Sequence, residues 1–284
     1  MNEIHIPSKE EFIKGIEEFE KHEKRDAMYK VATFLVHHFW GNPSDMADGL
    51  GVLLLTWNQA FYRYGSFDFD KLEKCIENNL EKLKRFRNRD ITTFSELDES
   101  DIKSIFSKFL DALQIDTIKF SDSNKKKFTI ENLKELLDKW NIKFSGNDTK
   151  SIYKSIKSDE KVKDAIEFIE TSRKNYIQIT ISRLEENQIE KLKEYNLIMK
   201  SPVAVAKALH LLAPNFFPLW DDQIAKAYRC YYDNEPAKEY IKFMKIIKEM
   251  SEKVKEYVDL SKCSKTLLKL IDEYNYSKYT KNWI

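Results

Sequence analysis

Residues Lys200–Arg229 read KSPVAVAKALHLLAPNFFPLWDDQIAKAYR, the most apolar long run in a chain otherwise rich in Lys and Glu. Three of the six prolines fall here and punctuate it. Ser201-Pro202 is a helix start: the serine hydroxyl accepts from a free N–H, and proline occupies the first turn, where its missing N–H costs nothing. The helix runs to about Leu212, with Val205, Ala208, Leu209 and Leu212 along one side. Ala204, Ala206 and Ala208 are small enough to let another helix or a backbone come close. Lys207 and His210 lie three apart and share a face. Pro214-Asn215-Phe216-Phe217-Pro218 then breaks the helix. Asp221 or Asp222 opens the next one, in which Ile224, Ala227 and Tyr228 turn inward. The central unit is therefore helix, tight turn, helix, with a carboxylate heading the second helix and a lysine inside the first.

Outward from this stretch the periodicity stays helical. Ser8 precedes a helix with Phe12, Ile16 and Phe19 at helical spacing. A second covers Arg25 to Phe39, and Gly41-Asn42-Pro43-Ser44 forms a turn. His37 and His38 suit the negative end of that second helix. Gly49 to Tyr64 is apolar all round, which marks a buried helix, with the amides Asn58 and Gln59 as its polar exceptions. Asp68 or Asp70 caps a helix running to about Arg85, and Asp98 caps one carrying Ile102, Ile105, Phe106, Phe109, Leu110 and Leu113. The pattern weakens between Gln114 and Lys150: polar loops at 121–127 and 145–148 flank a short helix at 130–140. Helices over 159–183, 189–195, 237–257 and 265–274 complete the chain, and the alternation at 176–181 is read as helical. These elements predict an all-α fold of roughly ten to twelve helices in compact multi-helix form. The expected division is an N-terminal helical part at 1–114, a loop-rich junction at 115–150, and a C-terminal helical part at 151–284 containing the hairpin.

Bulk properties exclude several classes. Lys+Arg 48 against Asp+Glu 47 gives a net charge of +1, so nucleic-acid binding needs a local basic patch rather than a global field. The three cysteines, Cys75, Cys230 and Cys263, are far apart, which argues against a zinc site, an iron–sulfur cluster or a disulfide framework and fits a reducing cytoplasm. No metal and no cofactor is expected, and glycine-rich phosphate loops are absent. The opening MNEIHIPSKEEF has no apolar run, which predicts no secretion signal, and no stretch is long enough to predict a membrane span. The densest basic and aromatic cluster is Lys82-Leu83-Lys84-Arg85-Phe86-Arg87-Asn88-Arg89, readable as a solvated helix end or as a phosphate contact.

Two readings of the hairpin follow. In one, Asp221 or Asp222 is an N-cap and Lys207 or His210 its ordinary partner. In the other, an aspartate near a lysine in an apolar cleft serves amine chemistry, because a desolvated lysine attacks electrophilic carbon and a carboxylate stabilises developing positive charge.

An alanine-rich helix, a break, and then Phe217-Pro218-Leu219-Trp220-Asp221 at the head of another helix resembles the second half of the helix-hairpin-helix DNA glycosylase superfamily over about 30 residues. In that family a corresponding segment carries the catalytic aspartate, which the resemblance places at Asp221. It implies an all-α body, double-stranded DNA as partner, base flipping, and cleavage of the N-glycosidic bond in DNA repair. Lys207 is the implied lysine. Trp57, Asn58, Trp220 and His210 are the implied base pocket. Ser201 and Val203 are the implied DNA-backbone contacts, joined by Arg85, Arg87 and Arg89 of the basic cluster. Lys200-Ser201-Pro202-Val203-Ala204 stands where the family has a glycine signature, and Trp220 is an extra residue between proline and aspartate, so hydrolysis rather than lyase chemistry is expected. The alternative is a non-catalytic all-α interaction or regulatory module.

Overall fold

The computed structural model describes residues 5–58, 61, 67–116, 160–168 and 198–284. The expectations for 121–127, 130–140, 145–148, 176–181 and 189–195 lie outside the described residues, as do Gln59, Tyr64 and the part of the 159–183 helix beyond 168. The fold is all-α. Its helices are α1 (Lys9–His22), α2 (Asp26–His38), α3 (Pro43–Trp57), α4 (Phe69–Glu77), α5 (Leu80–Arg87), α6 (Glu99–Ala112), α7 (residues 160–168), α8 (Pro202–Leu212), α9 (Asp222–Ala227), α10 (Pro236–Val254) and α11 (Leu267–Asn275). A single π-helical turn, Tyr276–Thr280, follows α11. Among the described residues the extended pairing is one two-residue antiparallel ladder, β1 (Ile115–Asp116) with β2 (Ile198–Met199). No described helix is long and apolar enough to cross a membrane.

The helix starts follow side-chain chemistry. The Ser8 hydroxyl accepts from Glu11 N–H at 3.2 Å and caps α1. The expected turn at Gly41–Ser44 is present at Gly41, but its second half is already the start of α3: Asn42 accepts from Asp45 N–H, and Pro43 sits in the first turn. α3 therefore begins six residues earlier than apolarity alone suggests, and it ends at Asn58, whose backbone is extended. The single helix expected from Asp68 or Asp70 to Arg85 is two helices. Asn79 breaks it, because its buried amide oxygen accepts from the Lys108 ammonium at 3.1 Å and its backbone leaves the helical region. Asp98 does not head α6 directly. It closes a capping box with Ser95 in a short 3-10 turn and is gripped by Arg89.

The chain forms two units interleaved in sequence. One comprises Lys24–Glu77 and Asp111–Ser201. Within it α2 packs on α3, and Gly49 allows the approach: a Cβ there lies 2.9 Å from Val36 Cγ2 and 3.2 Å from Val36 N. The other comprises Met1–Glu23, Asn78–Leu110 and Pro202–Ile284. Its core is aromatic, with Phe86, Phe106, Phe216, Phe217, Trp220 and Tyr240 all fully enclosed.

In this second unit α1 packs on α11 through Gly15. A Cβ at Gly15 meets Tyr274 Cδ2 at 2.8 Å and Tyr274 Cα at 3.1 Å, and the second of these is backbone that has no room to yield. Gly15→Ala is therefore expected to destabilise the protein by about 1–2 kcal/mol, overpacking outweighing the gain of roughly 1 kcal/mol in helix propensity. Urea titration reads the difference, and a variant at least as stable as the parent contradicts the close α1–α11 approach.

Candidate functional site

The turn between α8 and α9 is buried apart from Asn215, so its enclosed carbonyls need donors from the protein. Four elements supply them. Thr266 Oγ1 donates to Pro214 O at 3.1 Å, Ile91 N–H to Asn215 O at 2.8 Å, and Tyr240 OH to Pro218 O at 2.7 Å. The fourth is His210: because Phe217 O, 2.8 Å away, can only accept, the proton must be on Nδ1. Burial pushes the His210 imidazole down to about 3, against the Phe217 hydrogen bond and with Lys269 adding to the depression, so the ring is neutral at physiological pH.

This pinned turn delivers Asp221 to the head of α9. Asp221 Oδ1 accepts from Ile224 N–H at 2.8 Å, and Oδ2 accepts from Thr280 Oγ1 at 2.6 Å. The carboxylate is half-buried. Asp222 points elsewhere, to Lys226 at 2.6 Å and Tyr232 OH at 3.1 Å. Of the two carboxylates offered by the sequence, Asp221 is the cap.

Behind Asp221 lies a group of ionisable side chains from α8 and α11. Lys207, Lys269, Asp272 and Glu273 are all buried. Glu273 Oε1 lies 2.7 Å from Lys265 Nζ and 2.9 Å from Lys269 Nζ, and Asp272 Oδ2 lies 3.4 Å from Lys269 Nζ. The Lys269 ammonium also sits over the Phe19 ring, 4.1 Å from its centroid. Burial pushes the Asp272 carboxyl up to about 6; Lys269 opposes this, Glu273 and Asp221 add to it, and Lys207 opposes it. Asp221, Lys207 and Asp272 thus belong to one electrostatic neighbourhood, in which Asp221 is half-open to solvent and Asp272 exchanges a proton slightly below neutral pH.

The other residues singled out in the sequence fall as follows. Trp220 is enclosed by Tyr232, Tyr240 and Phe243, with ring centroids 5.2, 5.1 and 5.4 Å away, and its indole N–H donates to Pro202 O at 3.3 Å. It is a core side chain supporting α8 and α9. Trp57 and Asn58 belong to the other unit, where Trp57 Nε1 donates to Arg25 O at 2.8 Å and Asn58 Nδ2 donates to Ser201 Oγ at 2.9 Å. Val203 is half-buried in the first turn of α8. Arg85 is paired with Asp101, which also holds Lys82, and both cations keep the Asp101 carboxyl below the usual range. Arg89 grips Asp98 at 2.6 and 2.9 Å and holds that carboxyl low. Burial pulls the half-buried Arg87 guanidinium down. The basic cluster on α5 is thus partly committed to carboxylates of its own unit. Among the described residues, no group of three or more His, Cys, Asp or Glu side chains is placed to hold a metal ion.

Sequence reasoning missed Lys269, Asp272, Glu273 and Thr280. The spacing Lys269-x-x-Asp272-Glu273 carries i,i+3 and i,i+4 charge pairs, a pattern that ordinarily marks a solvated face. The signal against that reading is the apolar company of Leu267, Leu268, Leu270, Ile271 and Tyr274, which leaves α11 no polar side to turn outward. Comparison with protein-family models, with curated proteins and with solved structures gives no match.

Proposed function

We propose that the chain is a DNA-binding protein of the helix-hairpin-helix glycosylase kind, working in the cytoplasm on the N-glycosidic bond of a base flipped from duplex DNA. The observation that supports this reading is the placement of Asp221: a half-open carboxylate, fixed through both oxygens, at the head of a short helix and in front of buried Lys207 and Asp272. Hydrolysis breaks the bond between sugar C1′ and base nitrogen, adds the oxygen of water to C1′ and leaves the proton on the base. Positive charge builds on the sugar during that exchange, and a pre-oriented carboxylate stabilises it. Lys207, buried on α8, balances the negative charge of the neighbourhood.

Duplex binding tests the partner. The binding constant for a duplex containing 8-oxoguanine is expected to fall steeply with salt, as phosphate contacts release counterions. Borohydride is expected to trap no covalent adduct, because Lys207 serves as a charge rather than a nucleophile. An adduct that disappears in Lys207→Gln overturns that role for the lysine, and salt-insensitive or absent binding overturns the DNA reading.

A second reading, a non-catalytic all-α interaction module, draws on the enclosure of Trp220 and His210 and on the carboxylate pairing of Arg85 and Arg89. It predicts no salt-sensitive duplex binding at all.

A further inference from the structure

The described chain closes on an unusual turn. After α11 the backbone widens into the π-helical turn Tyr276–Thr280, closed by Lys281 N–H donating to Tyr276 O at 3.0 Å. Such one-turn widenings insert a residue, re-aim the side chains that follow, and recur where function needs them. Asn282 then adopts φ +53, the left-handed region that a residue other than glycine enters at a cost, and reverses the chain so that Trp283 reaches His22 at 5.2 Å and Tyr276 at 6.0 Å. The turn is anchored on α1 at two further points: Ser277 Oγ donates to Gly15 O at 2.7 Å, and the Lys278 ammonium binds Glu11. With the rest of the turn held on α1, Thr280 meets Asp221 Oδ2 at 2.6 Å.

We propose that Thr280 is a positioning residue for Asp221, and that the π-helical turn is the device that sets it. The proposal rests on the reading of Asp221 given above. The Ile224 N–H alone leaves the carboxylate free to turn about its remaining bonds. A second donor, approaching from a separate element, fixes its plane. Thr280 does this without bringing a charge, so the negative charge on Asp221 stays available to a developing cation. A lysine or arginine in its place would cancel it.

The test uses the full chain and a duplex oligonucleotide containing 8-oxoguanine, comparing the parent, Asp221→Asn, Thr280→Val, Thr280→Ser and Trp283→Ala. Thr280→Val keeps the shape and removes the donor. It is expected to lower kcat about tenfold with little change in KM. Thr280→Ser returns the hydroxyl and is expected to restore kcat. Trp283→Ala keeps the hydroxyl but loosens the anchor, and is expected to fall between. A purely structural threonine would change stability and leave kcat and KM of the folded protein at the parent's values. If Asp221→Asn is inactive while Thr280→Val matches the parent in kcat, the role of Thr280 is overturned and that of Asp221 stands. If the parent itself releases no base, both are overturned.

Discussion

Glu273→Gln is expected to cost about 3–5 kcal/mol of stability, the range for removing one partner of a buried ion pair. Glu273 is fully buried and lies within 3 Å of two ammonium groups, Lys265 at 2.7 Å and Lys269 at 2.9 Å. A neutral amide leaves the buried Lys269 with Asp272 at 3.4 Å as a weaker counter-charge, while Lys265 keeps only the exposed Glu20 at 2.9 Å. The apparent Tm should drop by roughly 10 °C if unfolding is two-state. The physics also predicts a recovery. Lys269→Met combined with Glu273→Leu removes charge of both signs and replaces it with apolar volume, so the double variant should regain much of what the single one loses. A Glu273→Gln protein as stable as the parent contradicts the placement of this cluster inside the core.

The second large effect is in pH. Asp272 has its carboxyl raised by burial from 3.8 to about 6, so its contribution to stability is present in full below 3.8 and is lost as pH rises through about 6. His210 behaves oppositely. Its imidazole is lowered by burial from 6.5 to about 3, so its contribution is present above 6.5 and is lost as pH falls towards about 3. Between about pH 4 and 6 the two slopes oppose each other, each about 1.4 kcal/mol per pH unit for a full proton. Asp272→Asn removes one slope and leaves the other. The variant should lose roughly 2–3 kcal/mol between pH 6 and 4 relative to the parent. Urea midpoints across that range check it, and parallel curves for parent and variant contradict the opposed pair. Lys269, Glu273, Asp221 and Lys207 face the same space, so the assay belongs in a buffer of fixed ionic strength.

Much of this architecture is legible in the residues. Ser8, Asp68 and Asp221 announce helix starts because short polar side chains satisfy N–H groups that the helix cannot. The stripe Ile102, Ile105, Phe106, Phe109 of α6 is buried as its spacing predicts. The break at Asn79 is not legible, since it depends on Lys108, 29 residues further along the chain. The start of α3 is misjudged because Asn42-Pro43 reads equally well as a turn and as a cap. The site divides the same way. Asp221 and Lys207 stand out because they sit in an apolar run. Lys269, Asp272 and Glu273 do not, because charges at helical spacing look solvated until the partner helix is known. Thr280 is out of reach of any local pattern: its meaning lies in a contact with a residue 59 positions away.

These features converge on Asp221. The pinned turn sets it, α9 and Thr280 hold it, and Asp272 and Lys207 set the charge behind it. The direct measurement is base release from duplex DNA containing 8-oxoguanine, read as alkali-labile strand breaks, for the parent and Asp221→Asn. The account predicts release by the parent and a rate about 100-fold lower or less in the variant, the scale expected for a group acting on the charge of a transition state. An inactive parent, or an Asp221→Asn protein with undiminished release, would contradict it.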